Sequence, residues 1–402
     1  MNTDLIDFFN IVLRFTHVVA AIMWIGNSLL FTWMEIKLLK RQGDPDLIGY
    51  MDMLHGGGVF HLQKRVLKPD TIPSPLHWFY WQSYTTWLTG IALLATYFFT
   101  RADTLLLDPA KTDLTSGAAI AISLAGIFGG WILFDLYWRS PLKNYLKTGA
   151  LVWISLVVLY ALALDSVFNG RALYLQVGMT LGSFMTANVF FHIMPNQRKF
   201  MKALREGKEH NLNVGKAAKF RSLSNHYITF PVIFLMLSGH YPVLYGSERR
   251  VLILSIIVLS LIVIKYMMNI RDTFKPWFAV FVLTFVLGTA GIVAAISIPS
   301  GTETEPKDPL VLAGEEIFNQ LGCVACHQGS NTSIAPNLSG IFGTERELAD
   351  GSKALADEAY LRESILQSPV KVTKGYAAAM PVYQGVITDT QLEQLVAFLK
   401  QY

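Results

Sequence analysis

Charged residues are scarce in this chain, and cysteine is nearly absent. Of 402 residues only 15% are Asp, Glu, Lys or Arg, against roughly 25% in soluble globular domains. That deficit excludes an ordinary water-soluble fold for most of the length. The two cysteines, Cys323 and Cys326, are too few for a disulfide framework. A formal net charge of +4 is too small to argue for nucleic acid, so no such partner is expected. No cleavable leader is evident, because the first apolar stretch is long and a basic segment comes after it, as in a retained span.

Apolar residues are what the chain has in abundance: 52% of its residues are hydrophobic and the mean hydropathy is +0.39. They gather in eight stretches, at 8–34, 77–100, 114–134, 148–164, 172–194, 226–246, 251–270 and 276–298. Each approaches the ~20 residues needed to cross a bilayer as a helix. Lys265, inside the seventh, is expected to snorkel to the interface. Pro231 and Pro242 interrupt the sixth. Alternate loops, with Lys265 counted among them, carry 20 Lys and Arg on one side and five on the other. The richer set is expected to face the cytoplasm, which puts both termini on the outer, periplasmic side of a bacterial inner membrane.

Residues 299–309 are polar and rich in Pro and Thr, which suits a linker. Residues 310–402 have the composition of a small soluble domain. The expected fold class is therefore all-α: a polytopic membrane bundle of about eight spans over 1–298, then the linker, then the soluble domain.

Cys323-Val-Ala-Cys326-His327 is the attachment pattern for a c-type haem. Two thiols add to the haem vinyl groups and the adjacent His reaches the iron. A zinc site would need further Cys or His ligands, and the domain has none. Leu312, Ile317 and Phe318 around Glu315 and Glu316 predict a helix before the motif. Leu392, Leu395, Val396 and Leu399 predict another near the C-terminus, with Asp389 as its cap. The domain resembles class I cytochromes c, whose first and last helices cross beside the haem. In such domains a Met from a later loop supplies the second axial ligand. Met380, before Pro381, is the only Met after residue 310.

Ionisable groups within spans default to functional hypotheses. Arg14 and His17 lie on one face of the first span, where Arg14 could hold an anion. His226 and His240 are 14 residues apart, near four helical turns. A haem b held by His17 and His240 is an option this leaves open. His192 ends the fifth span alone. His55-Gly-Gly-Gly-Val-Phe-His61 is the most distinctive loop, with glycines that let backbone amides approach a ligand and a histidine on either side. It is no nucleotide fingerprint, since no strand–helix unit surrounds it. Trp78, Trp81, Tyr84 and Trp87 read as an interfacial belt or as a stacking surface for a flat purine.

Together these segments resemble the bacterial membrane-bound urate oxidases that carry a fused cytochrome c. The residues responsible are Arg14-Phe-Thr-His17 with Trp24-Ile-Gly26, the His55 glycine element, His77-Trp-Phe-Tyr-Trp81, Asn188-Val-Phe-Phe, Met194-Pro-Asn-Gln-Arg198-Lys199, Arg221-Ser-Leu-Ser-Asn225, and Tyr227 through His240-Tyr-Pro242. The resemblance implies hydroxylation of urate to 5-hydroxyisourate with water as oxygen source. Electrons would pass to haem c and on to a respiratory acceptor. Arg14 or Arg198 is then a candidate for the urate anion, and His17, His55 or His61 for the proton acceptor. The rival expectations are a non-enzymatic electron-transfer subunit, relaying from a quinol or a partner dehydrogenase, and a transport or haem-handling protein.

Overall fold

The computed structural model describes residues 3–40, 43–73, 75–207, 212–298, 308–327, 335–376 and 378–402. It separates into two compact units, Met1–Pro299 and Ser300–Tyr402. Residues 299–307 of the expected linker lie outside the described part.

The first unit is a helical bundle. Its long helices are α1 (Thr3–Lys37), α2 (Trp81–Leu93), α3 (Ser116–Arg139), α4 (Leu146–Asp165), α5 (Gly170–Ala187), α6 (Met194–Arg205), α7 (Leu212–Leu237), α8 (Arg250–Ile270) and α9 (Trp277–Ser297). Among the described residues six helices are long and apolar enough to cross a membrane: Phe8–Lys37, Ser116–Arg139, Thr148–Asp165, Gly170–Arg205, Arg250–Ile270 and Trp277–Ser297. Two of the eight expected spans fall outside that set. One is α2, which continues through a π-turn at Leu94–Phe98 and a 3-10 turn at Phe99–Arg101. The other is α7, which carries Pro231 and gives way to a 3-10 turn at Ser238–His240. That break prevents His226 and His240 from sharing one continuous helix face.

Helix α5 is the centre of the bundle. Leu173, Tyr174, Val177 and Phe184 from it join Phe134 of α3, Leu164 of α4, Leu235 of α7 and Leu254 of α8 in one buried cluster. Gln176 and Ser123, both fully buried, pair with each other, as burial favours. Gln176 donates to the Ser123 carbonyl at 2.8 Å and accepts from its hydroxyl at 2.8 Å. Lys265 is buried in α8 at 3% exposure, with its ammonium 5.1 Å from the Phe230 ring centre. The expected snorkelling does not occur, because the side chain lies under that ring.

Strand pairing is a small departure from an all-α layout. The loop after α1 folds into a hairpin, β1 (Leu47–His55) against β2 (Gly58–Arg65). His55 pairs with Gly58, so Gly56 and Gly57 form a two-residue turn with φ of 60° and 78°. Positive φ at both central residues is the type I′ requirement, and it accounts for two of the three glycines.

In the second unit, α10 (Pro309–Gln320) and α13 (Asp389–Leu399) cross closely. Gly314 permits the approach: a Cβ there would meet the Gln394 carbonyl oxygen at 1.9 Å. Ile317 and Phe318 are buried as expected, but Leu312 is 51% exposed and Val311 takes the inward position. The cap of α13 is Thr388, in a capping box with Gln391, and Asp389 is the first helical residue. Between the crossing helices lie the short α11 (Cys323–His327), a two-stranded ribbon of β3 (Glu345–Glu347) and β4 (Lys353–Leu355), and α12 (Glu358–Leu366).

Candidate functional site

A cavity of about 230 Å³ opens in the second unit. Cys323, Cys326 and His327 line it, as do Pro336, Ser364 and Met380. His327 is 8% exposed, and its Nδ1 lies 2.8 Å from the Pro336 carbonyl oxygen. A carbonyl only accepts, so Nδ1 carries the proton and Nε2 keeps its lone pair for a metal. Burial pushes the Cys323 thiol above its ordinary value. Ser368 donates from its hydroxyl to the Met380 carbonyl at 2.7 Å and the Pro381 carbonyl at 3.1 Å, pinning the Met380 loop to the end of α12. The Ser364 hydroxyl oxygen is buried without a partner. Among the described residues no group of three or more His, Cys, Asp or Glu could hold a metal ion, so the two thiols have no companions for zinc. A free imidazole nitrogen, two thiols on one wall and a thioether in one mainly apolar cavity fit a covalently held haem c.

The first unit holds a second polar constellation, at the ends of α3 and α5 and near the middle of α7. Helix α5 runs into α6 through a π-turn, Asn188–Ile193. One extra residue there rotates the downstream helix by about 100° relative to an uninterrupted α-helix. Asn188 and His192 both sit on this turn. His192 Nε2 lies 2.6 Å from Asp135 Oδ1. Arg221 Nη2 donates to the same oxygen at 2.6 Å, and Arg139 Nε reaches Oδ2 at 2.6 Å. Arg221 Nη1 donates to Asn188 Oδ1 at 3.1 Å, and Asn188 donates to Asn225 Oδ1 at 2.7 Å. The Arg221 guanidinium lies 5.9 Å from the Trp131 ring centre and 5.7 Å from that of Trp138.

Aromatic surface flanks this network. Phe191 stacks on Trp131 with centres 5.9 Å apart, and Tyr84 meets Phe190 at 5.4 Å. Tyr80 and Trp81 complete that group with Tyr84, and Arg198 lies over Tyr80 at 5.6 Å. Trp87 instead donates to Ser183 at 3.0 Å.

The residues singled out from sequence fall in separate places. Arg14 is exposed and stacks on Tyr97 at 4.4 Å. His17 packs on α2, its Nδ1 2.8 Å from the Thr86 carbonyl oxygen. His55 and His61 are exposed on the hairpin, where His61 lies 2.7 Å from Asp52. Twenty residues of α1 separate Arg14 from Met34, about 30 Å of helix, so the pair on α1 and the pair beyond it do not form one site. A haem b between His17 and His240 finds no support. His17 is held on α2, whereas the turn bearing His240 packs on α5 and α7.

Sequence reasoning passes over Asp135, His192 and Arg221 as a set. The third apolar stretch ends one residue before Asp135, Arg221 counts as a loop charge, and His192 is alone on its span. The available signal is the pair of segments beginning at Asn188 and Arg221, both of which the family resemblance singles out.

A bundle with six helices suited to crossing a membrane, followed by a haem-binding cytochrome fold, defines an oxidoreductase with haem electron transfer. A family model for the urate oxidase N-terminal domain matches residues 3–297, and one for cytochrome c matches residues 311–402. The chain belongs to the urate oxidase N-terminal family, and it carries a C-terminal cytochrome c domain with haem c as cofactor. A comparison with curated proteins gives no match.

Proposed function

We propose that this chain hydroxylates urate to 5-hydroxyisourate in a bacterial inner membrane and passes the electrons to its own haem c, then to a respiratory acceptor. The observation that carries the reading is the family match over residues 3–297, followed in the same chain by the cytochrome match over 311–402. An electron acceptor joined to a urate oxidase relative makes a separate oxidant at the substrate unnecessary.

In this proposal Cys323 and Cys326 hold the haem through thioether bonds, with His327 Nε2 and Met380 as axial ligands. Bound there, haem c supplies a one-electron acceptor whose potential is raised by Met/His ligation. The Pro336 carbonyl fixes the His327 tautomer, and Ser368 holds the Met380 loop. The loop charges support a topology with both termini and the cytochrome domain in the periplasm. Arg14 or Arg198 for the urate anion, and His17, His55 or His61 as proton acceptor, are the candidates that side-chain chemistry suggests from the sequence.

The test is anaerobic mixing of purified full-length protein with urate. Loss of one urate for every two haem c groups reduced supports the enzyme. Haem that urate leaves oxidised, but a quinol reduces, would refute it in favour of an electron relay.

A further inference from the structure

We infer that His192, oriented by Asp135, is the general base of the purine oxidation, and that the purine anion lies between His192 and Arg198. This rests on the proposed urate oxidation. A carboxylate oxygen only accepts, so the 2.6 Å contact fixes the His192 proton on Nε2. Its Nδ1 is then an acceptor, and no hydrogen bond among the described residues engages it. A neutral imidazole with one nitrogen tied to a carboxylate and the other open is the arrangement for removing a proton near neutral pH.

The surroundings suit a flat anion. Among the described residues Arg139 and Arg221 share Asp135 as their one carboxylate, so the cluster carries surplus positive charge. Arg198, over Tyr80, has no carboxylate partner among the described residues. Phe191 and Trp131 beside His192, and Tyr80, Tyr84 and Phe190 towards Arg198, supply ring faces for a purine. A merely structural ion pair between α3 and α7 needs only Asp135 and Arg221. It does not account for the π-turn that brings His192 to the same oxygen, and such turns concentrate at functional sites.

The step balances in atoms and in charge. Urate monoanion and one water give 5-hydroxyisourate, one proton and two electrons. A C–O bond forms at the purine C5, a water O–H bond breaks, and that proton passes to His192 Nδ1. The two electrons leave singly to one-electron acceptors of the c-haem class. Asp135 is a positioning residue: it holds the tautomer and the charge of the protonated imidazole.

The experiment uses full-length, haem-loaded protein and urate. His192→Gln is expected to lower kcat for urate-driven haem reduction about a hundredfold or more, with KM within about threefold. Reduction of the haem by ascorbate stays normal. His192→Gly is expected to regain activity with added imidazole, which a structural role would not give. Arg198→Gln is expected to raise KM and leave kcat near wild type. Wild-type protein that does not reduce its haem with urate refutes the activity itself. Active wild type with an unimpaired His192→Gln, or loss confined to His17, His55 or His61 variants, overturns the base assignment alone. So does a His192→Gly protein that imidazole fails to rescue.

Discussion

Gly314→Ala tests whether the two crossing helices set the stability of the cytochrome domain. The added methyl would start 1.9 Å from the Gln394 carbonyl oxygen, 2.6 Å from its carbon and 2.8 Å from Phe398 Cβ. Real Cβ contacts do not fall below 3.0 Å, so α10 and α13 must separate by at least 1.1 Å (3.0 minus 1.9). The obstacle is helix backbone, which cannot rotate aside as a side chain would. Overpacking of this kind costs about 1–3 kcal/mol, and more where the neighbour is rigid. Against it stands the helix preference of Ala over Gly, about 1 kcal/mol. The net expectation is destabilisation by about 1–2 kcal/mol. For a domain of this size that lowers Tm by roughly 4–15 °C. Thermal unfolding of the haem-loaded full-length protein, followed at the Soret band, measures it. A Tm equal to or above wild type would refute the crossing geometry, since propensity alone would then be deciding the outcome.

Ser368→Ala removes the donor to the Met380 and Pro381 carbonyls, a loss of about 1 kcal/mol. The midpoint potential is expected to fall as Met380 ligation weakens, read by potentiometric titration; an unchanged potential would separate Ser368 from the ligand loop. Gly57→Ala places a Cβ at φ 78°, costing about 1 kcal/mol, so the hairpin tip should be cut faster in limited proteolysis. Glu358 is hydrogen-bonded by Lys400 and by Arg362, which hold its carboxyl below the usual range. A depressed carboxylate stabilises the fold above its unfolded pKa of about 4.3 and loses that contribution as pH falls through the lowered native value. The Tm difference between wild type and Glu358→Gln should therefore be present at pH 7 and vanish in strong acid.

The cytochrome domain is legible because its determinants are local. A five-residue motif, one downstream Met and two amphipathic stretches name the haem wall, the opposite loop and the crossing helices. The inward turn of Val311 in place of Leu312 is not legible, since a one-residue choice on a helix face depends on the partner helix. The bundle is legible at the level of apolar stretches, because lipid imposes length and composition on each span. Its interior pairing is not. Asp135, His192 and Arg221 come from three helical segments and meet only through packing; hydropathy assigns Asp135 and Arg221 to loops and leaves His192 alone at the end of a span. Lys265 illustrates the same limit. Its position near the end of an apolar stretch suggests snorkelling, but a ring on a neighbouring helix covers it.

The inferred base and the proposed topology have an energetic consequence together. On the topology proposed above, with the basic loops inside, the turn bearing His192 would face the cytoplasm and the cytochrome domain the periplasm. Each turnover then releases a proton near the inner face and moves two electrons outward. In an energised bacterium the inside is negative, so an electron moving outward across the full potential gains about 2.3 kcal/mol per 100 mV. The membrane potential would therefore pull urate oxidation forward, and collapsing it with an ionophore in right-side-out vesicles should slow turnover. A substrate site at Arg14 and His17, in the outer half of α1, would move its electrons through little of the field and show almost no such dependence.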